Sequence, residues 1–334
     1  MRIPHEIMTR EFERVLASRG LSEVDAREAA AMFTAASLDG VYSHGVNRFA
    51  RIIATIDQGL IKVDAKPVPV SALGAFERWD GNLGMGNLNA RIAMDRAVAL
   101  AGTHGIGLVA MANTNHWLRG GAYGWQAADA GCVGICWTNT LPNMPAWGAK
   151  DNRIGNNPFV LAVPKSNGQH VVVDMAMAQF SYGKLEETRL QGKQLPLPGG
   201  YDTAGELTTD PAEIEKTRRV LPIGFWKGSG MSIALDLIAS ILSAGSTSTE
   251  IGKRSTNEYC LTQVFIAIAP GHFNTPEFTD QVIDTVLEDV KASIPAYDGA
   301  EIRYPGERAY LTRMENLENG IPVLPEVWEK IREL

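Results

Sequence analysis

The stretch "GIGLVAMAN", Gly105 to Asn113, decides the fold class. Its first six residues fit the string G-x-G-x-x-A, the dinucleotide fingerprint. In a Rossmann fold those glycines follow a strand and open a helix, where they let the pyrophosphate approach the backbone. Here they close an alanine-rich helical segment, "GNLNARIAMDRAVALAGTHG", and the apolar run comes after them. The glycines therefore read as a helix stop before a buried strand, and the Rossmann assignment is rejected. "GGAYG", residues 120–124, has the strand–loop–helix order but not the spacing, so it reads as no more than a helix start that could favour phosphate.

Outward from that strand, helices and strands alternate. "CVGICWTN", "FVLAVPK", "QHVVVDMAM" and "CLTQVFIAIAP" read as strands, the second and third as a hairpin over "SNG". "TREFERVLASRG" and "EVDAREAAAMFTAASLDG" read as helices, with Ser22 capping the second. "NRFARIIATIDQG" is apolar at 49, 52, 53 and 56, the spacing of one helical face. "TPEFTDQVIDTVLEDVKASI" is an amphipathic helix with Thr275 as cap and Pro276 at its first position. "MSIALDLIASILSAG" is apolar nearly all round, which predicts burial on most sides. The polar, Gly- and Pro-rich stretch 180–230 reads as loop-heavy and functional. The expected plan is an α/β domain over 71–310, flanked by a helical domain built from 1–70 and 311–334.

Bulk properties exclude several classes. The 334 residues carry a formal net charge of −7, with no basic stripe, so no global field attracts nucleic acid. Three cysteines without a CxxC pair argue against a disulfide framework or zinc ribbon and for a reducing cytosol. Cys132 and Cys136 belong to a strand and are expected in the core. The amphipathic N-terminus does not read as a signal peptide, and Asp236 interrupts the longest apolar stretch, so no membrane span is expected. The six histidines are too scattered to suggest a metal site.

"VYSHGVNRF", residues 41–49, sits between two helices and carries chemistry. Ser43 can orient the His44 ring, Gly45 permits a close approach, and Arg48 offers a fork for a carboxylate. Imidazole trades protons near neutrality. A proton donor beside an anion clamp is what reduction of a keto acid needs; a surface helix corner is the plainer alternative. His116, in "NHW", is the second candidate, although stacking on Trp117 would also explain it. Asp174, inside the apolar "VVVDMAM", needs a partner because an unpaired buried charge is costly; a catalytic imidazole or a backbone donor would serve. Lys227 in "FWKGSG" could meet a phosphate or be solvated.

"VYSHGVNRF", "NHWLRGGAYGWQAA", "GICWTN", "WGAK", "RIGNNP", "FSYGKLE", "GKQLP" and "LPIGFWKGSGMSI" together resemble the malate/L-lactate dehydrogenase type 2 family over essentially the whole chain. The resemblance implies a non-Rossmann mixed α/β/α sheet domain plus a helical domain from both chain ends. It implies a cytoplasmic homodimer with a nicotinamide cofactor near the subunit interface. It implies reduction of a small keto acid by NADH, with NADPH as the alternative donor. By motif, His44 matches the proton donor. Cofactor contacts match His170, Val171, Val172, Val173, Asp174, Met175 and Ala176, the pair Trp226 and Lys227, and Gly306, Glu307 and Arg308. Arg48, His116 and Asp174 enter on chemistry. Malate, lactate, sulfolactate, ureidoglycolate or a cyclic imine carboxylate would need the same donor and clamp. A non-catalytic ligand-binding protein is the alternative of another class.

Overall fold

Gly105 takes a left-handed conformation (φ 81°) and donates its N–H to Ala101, ending the helix Gly86–His104. The chain turns there directly into the strand Ile106–Thr114. Gly105 thus precedes the strand and Gly107 lies inside it, so neither glycine opens a helix after a strand. The computed structural model describes all 334 residues.

Seven strands form one mixed sheet: β1 (Val68–Leu73), β2 (Phe76–Asp80), β3 (Ile106–Thr114), β4 (Val133–Thr138), β5 (Phe159–Val163), β6 (Val171–Met175) and β7 (Leu261–Ile268). Their spatial order is β1-β2-β3-β7-β4-β5-β6. Only β2 and β3 run parallel; the other neighbours are antiparallel, including the β5–β6 hairpin. A doubly wound sheet would be parallel throughout.

Twelve α-helices surround the sheet: α1 (His5–Ser18), α2 (Glu23–Leu38), α3 (Val46–Asp57), α4 (Gly86–His104), α5 (Gly121–Asp129), α6 (Tyr182–Leu190), α7 (Pro211–Thr217), α8 (Trp226–Ser243), α9 (Ser248–Arg254), α10 (Pro276–Lys291), α11 (Glu307–Asn319) and α12 (Pro325–Arg332). α4 and α5 cover one face through Ala93, Ala97 and Ala127, small side chains that let helix and sheet approach. Trp117, Tyr123 and Phe265 fill that core, with ring centroids 5.5–6.0 Å apart. α8 covers the opposite face through Leu235 and Ala239. A separate core joins α1, α2, α3 and α12, and Phe12, Phe33 and Phe49 interlock within it. Each such ring contributes about 2–3 kcal/mol by burial. Cys132, Cys136 and Cys260 are free and buried. Thr275 and Ser22 cap their helices as the sequence suggests.

One expectation is refined and another corrected. The stretch 180–230 is loop-heavy as expected but not featureless: it also holds α6, α7 and a small ribbon, Gly200–Tyr201 against Leu207–Thr208. Ser181 and Asp210 start those helices by accepting N–H bonds from Lys184 and Ala212. Their weak apolar periodicity hid them. And α8 is not buried on most sides. Met231, Ile233, Leu237, Ile238 and Ile241 are exposed, the last at 68%. Apolar composition specifies a dry environment, and one chain supplies it on only one side of this helix. No single helix is long and apolar enough to cross a membrane.

Candidate active site

β3, β4 and β6 end, and β5 and β7 begin, at the same end of the sheet. A cleft of about 480 Å³ opens there, closed on its other side by residues 39–44, between α2 and α3. It brings together His44, His116, Asp174, Val172, Ala176, Gly306 and Arg308 from the expected set.

His44 ends a single 3-10 turn, Tyr42–His44. Gly45 is required by the packing behind it, because a Cβ there would lie 2.2 Å from Ser37 Oγ. The close approach foreseen at Gly45 is thus made by α2 rather than by a ligand. Ser37 Oγ accepts from Val46 N (2.9 Å) and donates to Phe33 O (3.0 Å), which fixes where α3 starts. Ser43 Oγ meets His44 Nδ1 at 2.9 Å, leaving Nε2 available. Burial, and next the positive charge of Arg48, lower the His44 pKa to about 4.

His116 stands on the loop between β3 and α5. Asn115 anchors that loop by donating to Leu83 O (2.8 Å) and Gly84 O (2.9 Å), and Gln263 Nε2 donates to Asn115 O. Leu118, held at φ 66°, donates its N–H to His116 Nδ1 at 3.0 Å. The neutral ring therefore carries its proton on Nε2. That nitrogen lies 3.9 Å from Glu258 Oε2. The His116 ring stacks on His44 with centroids 5.8 Å apart, not on Trp117, which belongs to the core beneath. Its pKa is pushed well below the usual value, chiefly by burial and then by Arg48 and His44.

Asp174 meets neither histidine. Its Oδ2 accepts from Gly121 N at the start of α5 (2.8 Å) and lies 3.9 Å from Arg119 Nε. Burial raises its pKa against the pull of Arg119 and Gly121. Arg119, which sequence reasoning missed although it stands in a quoted motif, is 5% exposed and ion-paired with Asp39. Asp39 also accepts from Arg313 Nε at 2.5 Å. The Arg119 guanidinium lies 5.0 Å over the Trp125 ring, and burial lowers its pKa to about 10. Its Nε has no partner, a buried donor at the cleft for an acceptor on a ligand.

The expected cofactor segments divide. Val172, Asp174 and Ala176 face the cleft, while Met175 packs beneath the sheet; Val171 and Val173 alternate with them along β6. Gly306 (φ 98°) brings the next segment alongside, with Val172 N donating to Pro305 O at 2.9 Å. Arg308 lines the cleft, whereas Glu307 is tied to Lys291. His170 is saturated: Nδ1 accepts from Lys165 N, and Nε2 contacts Asp129 at 2.8 Å. Trp226 and Lys227 are exposed at the start of α8, outside the cleft. Their loop is fastened to the residues after β6, since Ile223 N donates to Met177 O. Arg48 sits behind the histidines, its Nε donating to Ser43 O at 3.3 Å. An indole face, a close glycine backbone and an unpartnered guanidinium donor fit the flat ring, carboxamide or phosphate oxygens of a pyridine nucleotide. Both sequence-quiet residues found here, Arg119 and Glu258, are charges in local contexts that carry no spacing signal.

The family model described as malate/L-lactate dehydrogenase matches residues 3–332. The 2,3-diketo-L-gulonate reductases of Pasteurella multocida and Salmonella typhimurium are each 47% identical over 334 residues, covering all of both chains. Among solved structures, the sulfolactate dehydrogenase of Methanocaldococcus jannaschii superposes with a TM-score of 0.88 at 30% identity, covering 100% of this chain and 96% of its own. The malate dehydrogenase of Entamoeba histolytica shares the fold, with a TM-score of 0.94 at 24% identity and the same coverage.

Proposed function

The chain belongs to the malate/L-lactate dehydrogenase family and is an oxidoreductase, and from that premise we propose that it reduces 2,3-diketo-L-gulonate to 3-keto-L-gulonate with NADH. The observation that carries this reading is the stacked His44–His116 pair, set in one cleft with the β6 strand and Gly306. Full-length relatives at 47% identity support the diketo acid as substrate.

A reduced nicotinamide, when bound, would be the source of the hydride that reduces the ketone carbon. Val172, Ala176, Gly306 and Trp125 would hold the ring, with Arg119 Nε available to an acceptor on it. His44, held at Nδ1 by Ser43, gives a proton from Nε2 to the oxygen on which charge develops. Arg48, behind the histidines and outside the cleft lining, acts through its positive field, which draws the substrate carboxylate into the cleft. Burial and the nearby Arg48 charge keep His44 neutral at pH 7, with its pKa lowered to about 4. A carboxylate arriving beside Arg48 offsets the charge that depresses it, so substrate binding and proton uptake are coupled. The exposed apolar rows on α8 and on α10, where Phe278, Val282 and Val286 stand open, support assembly as a homodimer.

The test is oxidation of NADH, and separately of NADPH, with 2,3-diketo-L-gulonate, oxaloacetate and pyruvate. Fast turnover on the diketo acid alone is expected. Preference for oxaloacetate or pyruvate would move the substrate to another member of the family, and no turnover on any acid would refute the reading.

A further inference from the structure

Glu258 has no place in the mechanism so far, yet it is the one carboxylate on the histidine side of the site. Its side chain is 14% exposed and does not line the cleft, so it acts on no ligand directly. It lies in the segment between α9 and β7, facing His116 from behind the loop. Burial raises its pKa, and Arg48 and Arg51 of α3, which face the same place, oppose that shift together with a backbone donor at Leu141. Across the cleft, Asp174 is occupied by Gly121 and Arg119, and Asp39 by Arg119 and Arg313. Arg308 lines that far side too. The carboxylates there are committed to other partners.

Protonating one imidazole of the pair would therefore place a second cation near the largely buried Arg48. An opposite charge within about 4–6 Å favours the charged form by a unit or more. The geometry supplies one. Leu118 N–H fixes His116 Nδ1 as an acceptor, so the ring proton is on Nε2, the nitrogen 3.9 Å from the Glu258 carboxylate.

We infer that Glu258 is the positioning residue of the proton-donating pair: it fixes the His116 ring against His44 and supplies the counter-charge that lets the pair hold a proton during turnover. The inference rests on the reductase reading and adds the group that makes its acid available. His116 need not touch the substrate for this role. Its ring transmits the restraint to His44 through the 5.8 Å stack.

The experiment is the pH profile of kcat for Glu258→Gln, which keeps the shape and removes the charge, beside Glu258→Asp, which keeps the charge one methylene away. The high-pH limb should move down by about one unit in Glu258→Gln, which lowers turnover at neutral pH about tenfold. The KM for NADH should not change, and Glu258→Asp should restore at least half of the shift. A wild-type limb in Glu258→Gln, or an equal loss in both variants at every pH, would overturn the inference. A second readout is independent of catalysis: proton uptake on binding oxamate, from calorimetry in two buffers of different ionisation enthalpy. Uptake should be clearly smaller in Glu258→Gln than in wild type, and equal uptake would contradict the role. Absence of keto-acid turnover in the wild type would instead refute the reductase reading, while the proton count would still decide the role of Glu258.

Discussion

Two clusters at the cleft, each a wall of charge in its own way, are built on opposite electrostatic plans. On the wall of Asp174, Arg119, Asp39 and Arg313, each carboxylate has a guanidinium or backbone donor, although Arg119 Nε is left free. On the wall of His44, His116, Arg48 and Glu258, groups are buried with few direct bonds. Burial and like charge push both imidazoles toward the neutral form. A saturated network holds shape. An under-compensated one is ready to change protonation when a charged ligand arrives, which is the usual signature of working groups. On the proposed reading the first frames the cleft and the second performs the chemistry.

That division predicts how each wall fails. Asp39→Asn should cost the most, about 3–5 kcal/mol of stability, because it strands the buried Arg119 guanidinium. Chemical denaturation measures this; a loss under 1 kcal/mol would show that the framing wall is not held by its charges. His44→Ala should leave stability nearly intact but lower turnover by about two orders of magnitude, with NADH still binding. Unchanged turnover would remove His44 from the mechanism. Arg48→Met should raise the substrate KM about tenfold with a smaller change in kcat, since the positive field behind the histidines is lost; an unchanged KM would free Arg48 of that role.

The smallest effect is on stability against pH. The His44 pKa is about 4 in the folded protein and about 6.5 when unfolded. A depressed imidazole means that the unfolded chain takes up the proton first. Stability contributed by the neutral ring is therefore present above pH 6.5 and lost as pH falls toward 4. Between pH 7 and pH 5 this should amount to about 1–2 kcal/mol. His44→Asn should lose correspondingly less over that interval in thermal melts, and an identical loss would contradict the buried neutral ring.

The sequence made most of the architecture legible because its signals are local. Gly105 stops a helix wherever it sits, and the β5–β6 hairpin follows from two apolar runs around a turn. The partner of Asp174 was not legible. It is a backbone N–H 53 residues away, and any residue except proline could provide it. Glu258 is 142 residues from His116 in a stretch with no periodicity, so only the folded chain puts them together. Apolar composition along α8 could not separate a core helix from one with a face left open. That both ring nitrogens of His170 are taken by the protein was not legible either, since its partners Lys165 and Asp129 are set by the fold.

The central claim is that His44 is the acid and is neutral until substrate brings its charge. The most direct measurement is kcat/KM for keto-acid reduction against pH, in wild type and in His44→Ala. This ratio reports the free enzyme, so it should fall about tenfold per pH unit from pH 5 to 8 in wild type. In His44→Ala it should be low and nearly flat. A wild-type profile that is flat across that range, or one that keeps its slope in His44→Ala, would contradict the account.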